Sequence, residues 1–160
     1  MTTPYEEYRH NIRTGDLVAF SHGNIGGKII QFFTKSAFTH VGIAYRVANR
    51  VLVFEAVIPR VRLFPLSKMG RFYHVLLGRD LSYDAEEFAF SRIGDTYSVV
   101  ECCRGYFGIA NNDNAKWQCA EYSKGILRNN GLELSRKDTP VELVTEAIKL
   151  SCETPQWVEG

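Results

Sequence analysis

Four cysteines and four histidines supply the side chains able to do nucleophilic chemistry in this chain of 160 residues. Cysteine reacts as the thiolate, which is favoured at a helix N-terminus or beside a histidinium. Cys119 follows Trp117-Gln118 and opens the stretch from Cys119 to Asn130, whose pattern predicts a helix stopped by Asn130-Gly131. Cys102 and Cys103 fall inside a predicted short helical piece from Tyr97 to Phe107, and Cys152 lies near the end of the chain. Cys119 is therefore the candidate nucleophile, provided that a base stands beside it. Without one, a cysteine at a helix start is a structural residue.

Among the histidines, His10 and His22 sit in turn-like or polar segments and His74 is flanked by the strand residues Tyr73 and Val75. His40 opens the run HVGIAY, where alternation places it on one face with Gly42 and Ala44, while Val41, Ile43 and Tyr45 face the other way. Two small neighbours leave room above the ring. The plainer alternative is a strand-end histidine bonded to backbone. Glu55 lies within the apolar run VLVFEAV, where a carboxylate requires a partner. A two-residue turn at Ala48-Asn49 sets Gly42 opposite Glu55 and makes His40 and Glu55 diagonal neighbours on one face. A three-residue turn would put them on opposite faces. The first register makes Glu55 the group that orients the His40 ring and stabilises its charged form.

The elements that must hold these side chains divide the chain in two. Strands come first: GDLVAF (Gly15 to Phe20), THVGIAYRV (Thr39 to Val47), RVLVFEAV (Arg50 to Val57), then RVRLF and RFYHVLL. A segment with Ile25, Ile29, Phe32 and Phe33 at helical spacing interrupts them. Helices follow: one capped by Asp84, the piece after Tyr97, a polar loop NNDNAK, and the Cys119 helix. The last is opened by Thr139-Pro140-Val141-Glu142, with Val141, Val144, Ala147 and Ile148 on its apolar face. Strands grouped ahead of helices argue for an α+β domain with an antiparallel sheet and helices packed against it. The expected organisation is one domain over 1–151, with 152–160 a loose tail in which Trp157 is the one residue able to dock.

Composition narrows the function class. An apolar fraction of 45% with 23% charged residues excludes wholesale disorder, collagen and coiled coil. No run approaches the roughly 18 apolar residues of a spanning helix. The opening MTTPYEEYRHN lacks the apolar run of a secretory signal, and the cysteines show no CxxC pair, so a cytoplasmic location is expected. A net charge of +1 argues against nucleic-acid binding. Between Arg46 and Arg79, however, seven Lys or Arg face one acid, Glu55. That segment is either the wet side of half-buried strands or a basic rim for an anionic substrate.

Taken in order, GDLVAF, THVGIAY, VFEAV, IGDTY and WQCAEY resemble the circularly permuted branch of the NlpC-type papain-like cysteine amidases and peptidases. In that branch the histidine comes first, a polar orienting residue follows on the next strand, and the cysteine arrives late. The resemblance runs from about Gly15 to Leu150. It implies a permuted papain-like NlpC-type fold, with Cys119 as nucleophile, His40 as general base and Glu55 as orienting residue. Tyr97 would add its hydroxyl to an oxyanion hole beside the Cys119 backbone N–H. Ala120 departs from the serine common after the cysteine, and Glu121 supplies favourable charge at a helix start. The activity implied is cleavage of an amide in a peptide, peptidoglycan-like or acyl-amide substrate through an acyl-enzyme, with no cofactor and no metal. QCAEY and HVGIAY also resemble the lecithin:retinol acyltransferase group, which has a second histidine where this chain has Glu55. Two further alternatives are an inactive binding domain on the same fold and a metal or redox protein using Cys102, Cys103 and Cys119. The last lacks ligand spacing.

Overall fold

The computed structural model describes residues 3–21, 37–97 and 116–160. The predicted helical segment at Ile25 to Phe33, the piece beyond Tyr97, the polar loop, His22, Cys102 and Cys103 lie outside the described residues. The strands are β1 (Thr3–Pro4), β2 (Leu17–Phe20), β3 (His40–Val47), β4 (Arg50–Ala56), β5 (Val61–Pro65), β6 (Phe72–Val75), β7 (Thr96–Tyr97), β8 (Lys116–Trp117) and β9 (Gln156–Glu159). The helices are α1 (Tyr5–Tyr8), α2 (Tyr83–Ser91), α3 (Cys119–Asn129) and α4 (Pro140–Leu150). Seven strands form one sheet in the order β1-β9-β6-β2-β3-β4-β5, antiparallel except where β1 meets β9. β7 and β8 make a separate parallel pair. The fold class is α+β. None of the described helices is long and apolar enough to cross a membrane.

Strand alternation gives the sheet two apolar faces. One carries Leu17, Ala19, Val41, Ile43, Phe54 and Ala56, which pack against Tyr122, Ile126 and Leu127 of α3 and Leu143 and Val144 of α4. The other carries Val18, Phe20, Ala44, Val53, Phe72 and Val158, covered by Tyr5, Tyr8, Ile12 and Leu66. Burying apolar area on both faces supplies the main favourable term in folding. Lys124 of α3 is fully buried between the helices, where Glu146 Oε2 of α4 stands 3.1 Å from Nζ and the Ser135 carbonyl accepts at 3.1 Å. That pairing offsets the cost of placing an ammonium in the core.

Three local expectations are corrected. Residues 152–160 are not a loose tail: β9 lies between β1 and β6, with Trp157 opposite Tyr73 and Val158 buried opposite Phe72. Four residues are too few to show a period, so the pairing partners define this strand. The cap of α2 is Ser82, whose Oγ accepts from the Ala85 N–H at 3.3 Å, and Asp84 lies in the first turn. α4 does open with Thr139 capping the Glu142 N–H and Pro140 at the start, but its inward face is Pro140, Leu143, Val144 and Ala147. Val141 and Ile148 point to solvent.

The GD pair ahead of β2 is a clasp between elements. Gly15 has φ +93°, and a Cβ there would stand 2.2 Å from the Arg79 carbonyl oxygen, so only glycine fits. Asp16 is fully buried and accepts from the Arg13 N–H at 2.7 Å, the Leu77 N–H at 2.9 Å and His74 Nε2 at 2.9 Å. The other His74 nitrogen meets the Tyr8 hydroxyl at 3.0 Å. Tyr8, His74 and Asp16 thereby lock the N-terminal segment, β6 and β2 together.

Candidate active site

The β3–β4 hairpin decides whether His40 and Glu55 meet. Val47 pairs with Arg50 across a two-residue turn, and Ala48 takes a left-handed φ of +51° to close it. Ile43 then pairs with Phe54 and Ala44 with Val53. This is the register that sets Gly42 beside Glu55, and a Cβ on Gly42 would lie 3.6 Å from the Glu55 Cβ. His40 and Glu55 point to the same face at the far end of the hairpin.

There, His40 Nε2 donates to Glu55 Oε2 at 2.6 Å. The carboxylate is 1% exposed and the ring 16%. The second carboxylate oxygen, Oε1, accepts from Arg62 Nε at 2.8 Å across the β4–β5 pairing. The ring packs against Phe20, with centroids 5.6 Å apart. With Nε2 committed to Glu55, the Cys119 side chain is the other group close enough to favour the charged form of the His40 ring.

Cys119 reaches this point from the opposite core layer. It is the first residue of α3, 1% exposed, and its apolar neighbours belong to the cluster on the helical side of the sheet. Its approach is fixed from both directions. Ahead of it, β8 pairs with β7, placing Tyr97 opposite Trp117, and Trp117 Nε1 donates to Asp95 Oδ2 at 2.9 Å. Behind it, the Tyr122 hydroxyl donates to the Ala89 carbonyl at 2.7 Å, binding α3 to α2. Gly125 permits the same approach, since a Cβ there would be 2.6 Å from the Phe88 ring.

The electrostatics follow from these contacts. Burial works against the charged form of His40, but its hydrogen bonds to Cys119 and Glu55 and their charges outweigh burial and raise its pKa to about 10. Burial likewise opposes ionisation of Glu55, yet His40 and Arg62 together hold its pKa below the ordinary carboxylate value. The arrangement favours an imidazolium beside the Glu55 carboxylate. Chemically, that is a charged general acid beside a cysteine sulfur.

Of the four residues singled out from sequence, the structure gathers Cys119, His40 and Glu55 into one connected group. Tyr97 is half-buried, packed against the cluster that contains Cys119, two residues upstream in space through Trp117. Sequence reasoning missed Arg62 and the Tyr8–His74–Asp16 network. For Arg62 the signal was its place opposite Glu55 in the strand pairing. For His74 it was a polar ring inside a strand, and for Asp16 an acid directly ahead of the apolar run LVAF. The basic segment is dispersed: Arg46 donates to the Arg9 and Ile12 carbonyls, and Arg71 pairs with Glu159 at 3.4 Å. Of the described cysteines, Cys119 and Cys152 are free thiols, and Cys152 is exposed.

No family model matches the sequence, and no curated protein matches it either. Its fold is similar to a solved structure described as the metalloprotein YiiX from Escherichia coli O157:H7, with a TM-score of 0.58 over 93% of this chain and 89% of that one. The two sequences are 20% identical. The chain therefore has a YiiX-like α+β fold.

Proposed function

We propose that this chain is a cysteine hydrolase of the permuted papain-like kind, cleaving an amide or acyl bond with Cys119, His40 and Glu55 as its triad. The observation that carries this reading is the 2.6 Å contact between His40 Nε2 and Glu55 Oε2, with the Cys119 side chain near enough to that ring to favour its charged form. An orienting carboxylate on one nitrogen and a thiol on the other is the arrangement that nucleophilic catalysis by cysteine requires. The chain order of histidine, acid and cysteine supports the permuted form of that fold.

In the mechanism, the proton of Cys119 resides on His40 as an imidazolium and the thiolate attacks the substrate carbonyl carbon. The tetrahedral oxyanion forms near the N-terminus of α3, where the Cys119 N–H and the Tyr97 hydroxyl are the proposed donors. His40 returns the proton to the leaving amine, the C–N bond breaks and a thioester remains on Cys119. Water, deprotonated by His40, attacks that thioester. The acid is released, and the proton passes back to sulfur.

The word metalloprotein applies to the YiiX structure. Among the described residues no three His, Cys, Asp or Glu side chains gather closely enough to hold a metal ion. His40 Nε2 is committed to Glu55, whose other oxygen is taken by Arg62, so these residues do not fit a metal site and no step is routed through one.

The test is incubation with p-nitrophenyl acetate, followed by mass spectrometry of the intact protein. The expected result is nitrophenol release with a transient acetyl group on Cys119, both lost in Cys119→Ala. Equal release by the variant would overturn the reading. Addition of an amine or alcohol acceptor separates hydrolysis from acyl transfer.

A further inference from the structure

We propose that Arg62 is a positioning residue of this site: its guanidinium pins and neutralises the Glu55 carboxylate, so that His40 is held as a directed proton donor toward Cys119. This rests on the reading of Cys119 as the nucleophile. Arg62 touches no reacting atom and acts through Glu55.

The geometry is specific. Glu55 and Arg62 are directly opposed residues of β4 and β5, a position that brings side chains on one face of a sheet into contact. Each carboxylate oxygen has its own donor: Oε2 takes His40 Nε2 at 2.6 Å and Oε1 takes Arg62 Nε at 2.8 Å. A carboxylate held at both oxygens cannot rotate about its terminal torsion, so the oxygen facing His40 stays in line with the ring. Arg62 is itself fixed, because its guanidinium carbon lies 4.1 Å from the centroid of the Phe64 ring, two residues along the same strand face. A planar guanidinium stacked on an aromatic ring keeps its orientation in a way that an ammonium does not.

Charge counting gives a second argument. The active ion pair is a thiolate and an imidazolium, and with Glu55 the buried group would carry a net negative charge. Buried uncompensated charge is costly. Arg62 restores neutrality through the alternation Cys119 minus, His40 plus, Glu55 minus, Arg62 plus. The charged groups acting on Glu55 are His40 from β3 and Arg62 from β5, and those acting on His40 are Cys119 from α3 and Glu55 from β4. Arg62 is placed to do this without being enclosed: its side chain is 47% exposed while Glu55 is 1% exposed. A surface arginine that spends its Nε on a buried carboxylate is tuning that carboxylate.

Removing Arg62 takes away one of the two partners that keep Glu55 ionised at low pH. Protonation of Glu55 then comes at higher pH, and the acid limb of any His40-dependent reaction moves up with it. The experiment is the pH profile of Cys119 alkylation by iodoacetamide, from pH 4 to pH 9, in the full chain. Wild type, Arg62→Gln, Arg62→Lys, Glu55→Gln and the Arg62/Glu55 double variant are compared, with melting temperatures recorded alongside. The acid midpoint in Arg62→Gln is expected to rise by about one pH unit, a tenfold loss of rate on that limb. Arg62→Lys recovers part of the shift, through its charge but without the stacked fork, and Arg62→Gln adds nothing in the Glu55→Gln background. An Arg62→Gln profile superimposable on wild type would overturn the positioning role while leaving the triad standing. A wild-type profile with no reactivity below pH 7 would overturn the triad as well.

Discussion

His40 and Glu55 stand 15 positions apart in sequence on two different strands, yet Nε2 and Oε2 are 2.6 Å from each other at the end of the sheet. The contact exists because the turn between β3 and β4 holds two residues and not three. One more residue would move Glu55 to the helical face of the sheet and away from the ring. A backbone detail at Ala48 thus decides a side-chain contact at the opposite end of the hairpin.

Glu55→Gln keeps the shape of the carboxylate and loses its charge. Gln cannot stabilise the imidazolium, and turnover is expected to fall about a thousandfold or more. The protein stays folded but its melting temperature falls, because His40 loses the buried partner of its charge even though Arg62 can turn to solvent. Steady-state rates beside a thermal melt check this, and wild-type turnover would remove Glu55 from the mechanism.

Gly42→Ala tests the room beside that carboxylate. Its new Cβ would meet the Phe54 carbonyl oxygen at 2.8 Å and Val53 Cγ1 at 2.4 Å, so the hairpin must separate. The expected cost is about 2 kcal/mol of stability. A larger loss of activity accompanies it, because Glu55 moves with the strand. Denaturant unfolding and turnover measured on the same variant separate the two effects.

Asp16→Asn acts elsewhere. It leaves the buried His74 and the Leu77 and Arg13 amides with a weaker acceptor, at a cost of about 3 kcal/mol by the usual penalty for breaking a buried pair. Below its melting temperature the variant should alkylate Cys119 at the wild-type rate, since the Tyr8–His74–Asp16 network does not touch that group. A selective loss of Cys119 reactivity without loss of stability would contradict this separation.

Deletion of residues 152–160 is expected to unfold the protein or lower its melting temperature sharply, because β9 fills a place inside the sheet and Val158 is fully buried. Cys152→Ser, by contrast, changes an exposed side chain and should be silent in both stability and activity. Circular dichroism of the two variants checks the pair.

The alkaline side of the rate profile tests the charge on His40. Its pKa is raised to about 10, so the proton donor is present below that pH and lost as pH rises through it. Amide turnover, which needs a proton on the departing amine, should decline above pH 10, while turnover of a nitrophenyl ester should not. Identical alkaline limbs for both substrates would count against His40 as the acid.

How much of this was readable from sequence varies by element. The helix beginning at Cys119 and the capping of α4 followed from local pattern, because caps and period are set by neighbouring residues, whereas the hairpin register was one of two that the sequence left open and the turn at Ala48 decides between them. β9 was not legible, since a four-residue strand is defined by Phe72 and Tyr73 on β6 and not by its own composition. The inward face of α4 was misjudged at Val141 and Ile148, where two phases of one helix are nearly equally apolar and the sheet chooses between them. Arg62 was hidden for a related reason. Its role depends on the pairing of β5 with β4, which alternation alone does not fix.

The most direct test of the central claim is the order in which the thiols react with iodoacetamide at pH 6, read residue by residue by mass spectrometry. Accessibility alone would favour Cys152, which is exposed, over Cys119, which is 1% exposed. The account requires the reverse: Cys119 is modified first, and that preference disappears in His40→Ala. Modification of Cys152 ahead of Cys119, with His40→Ala indistinguishable from wild type, would contradict it.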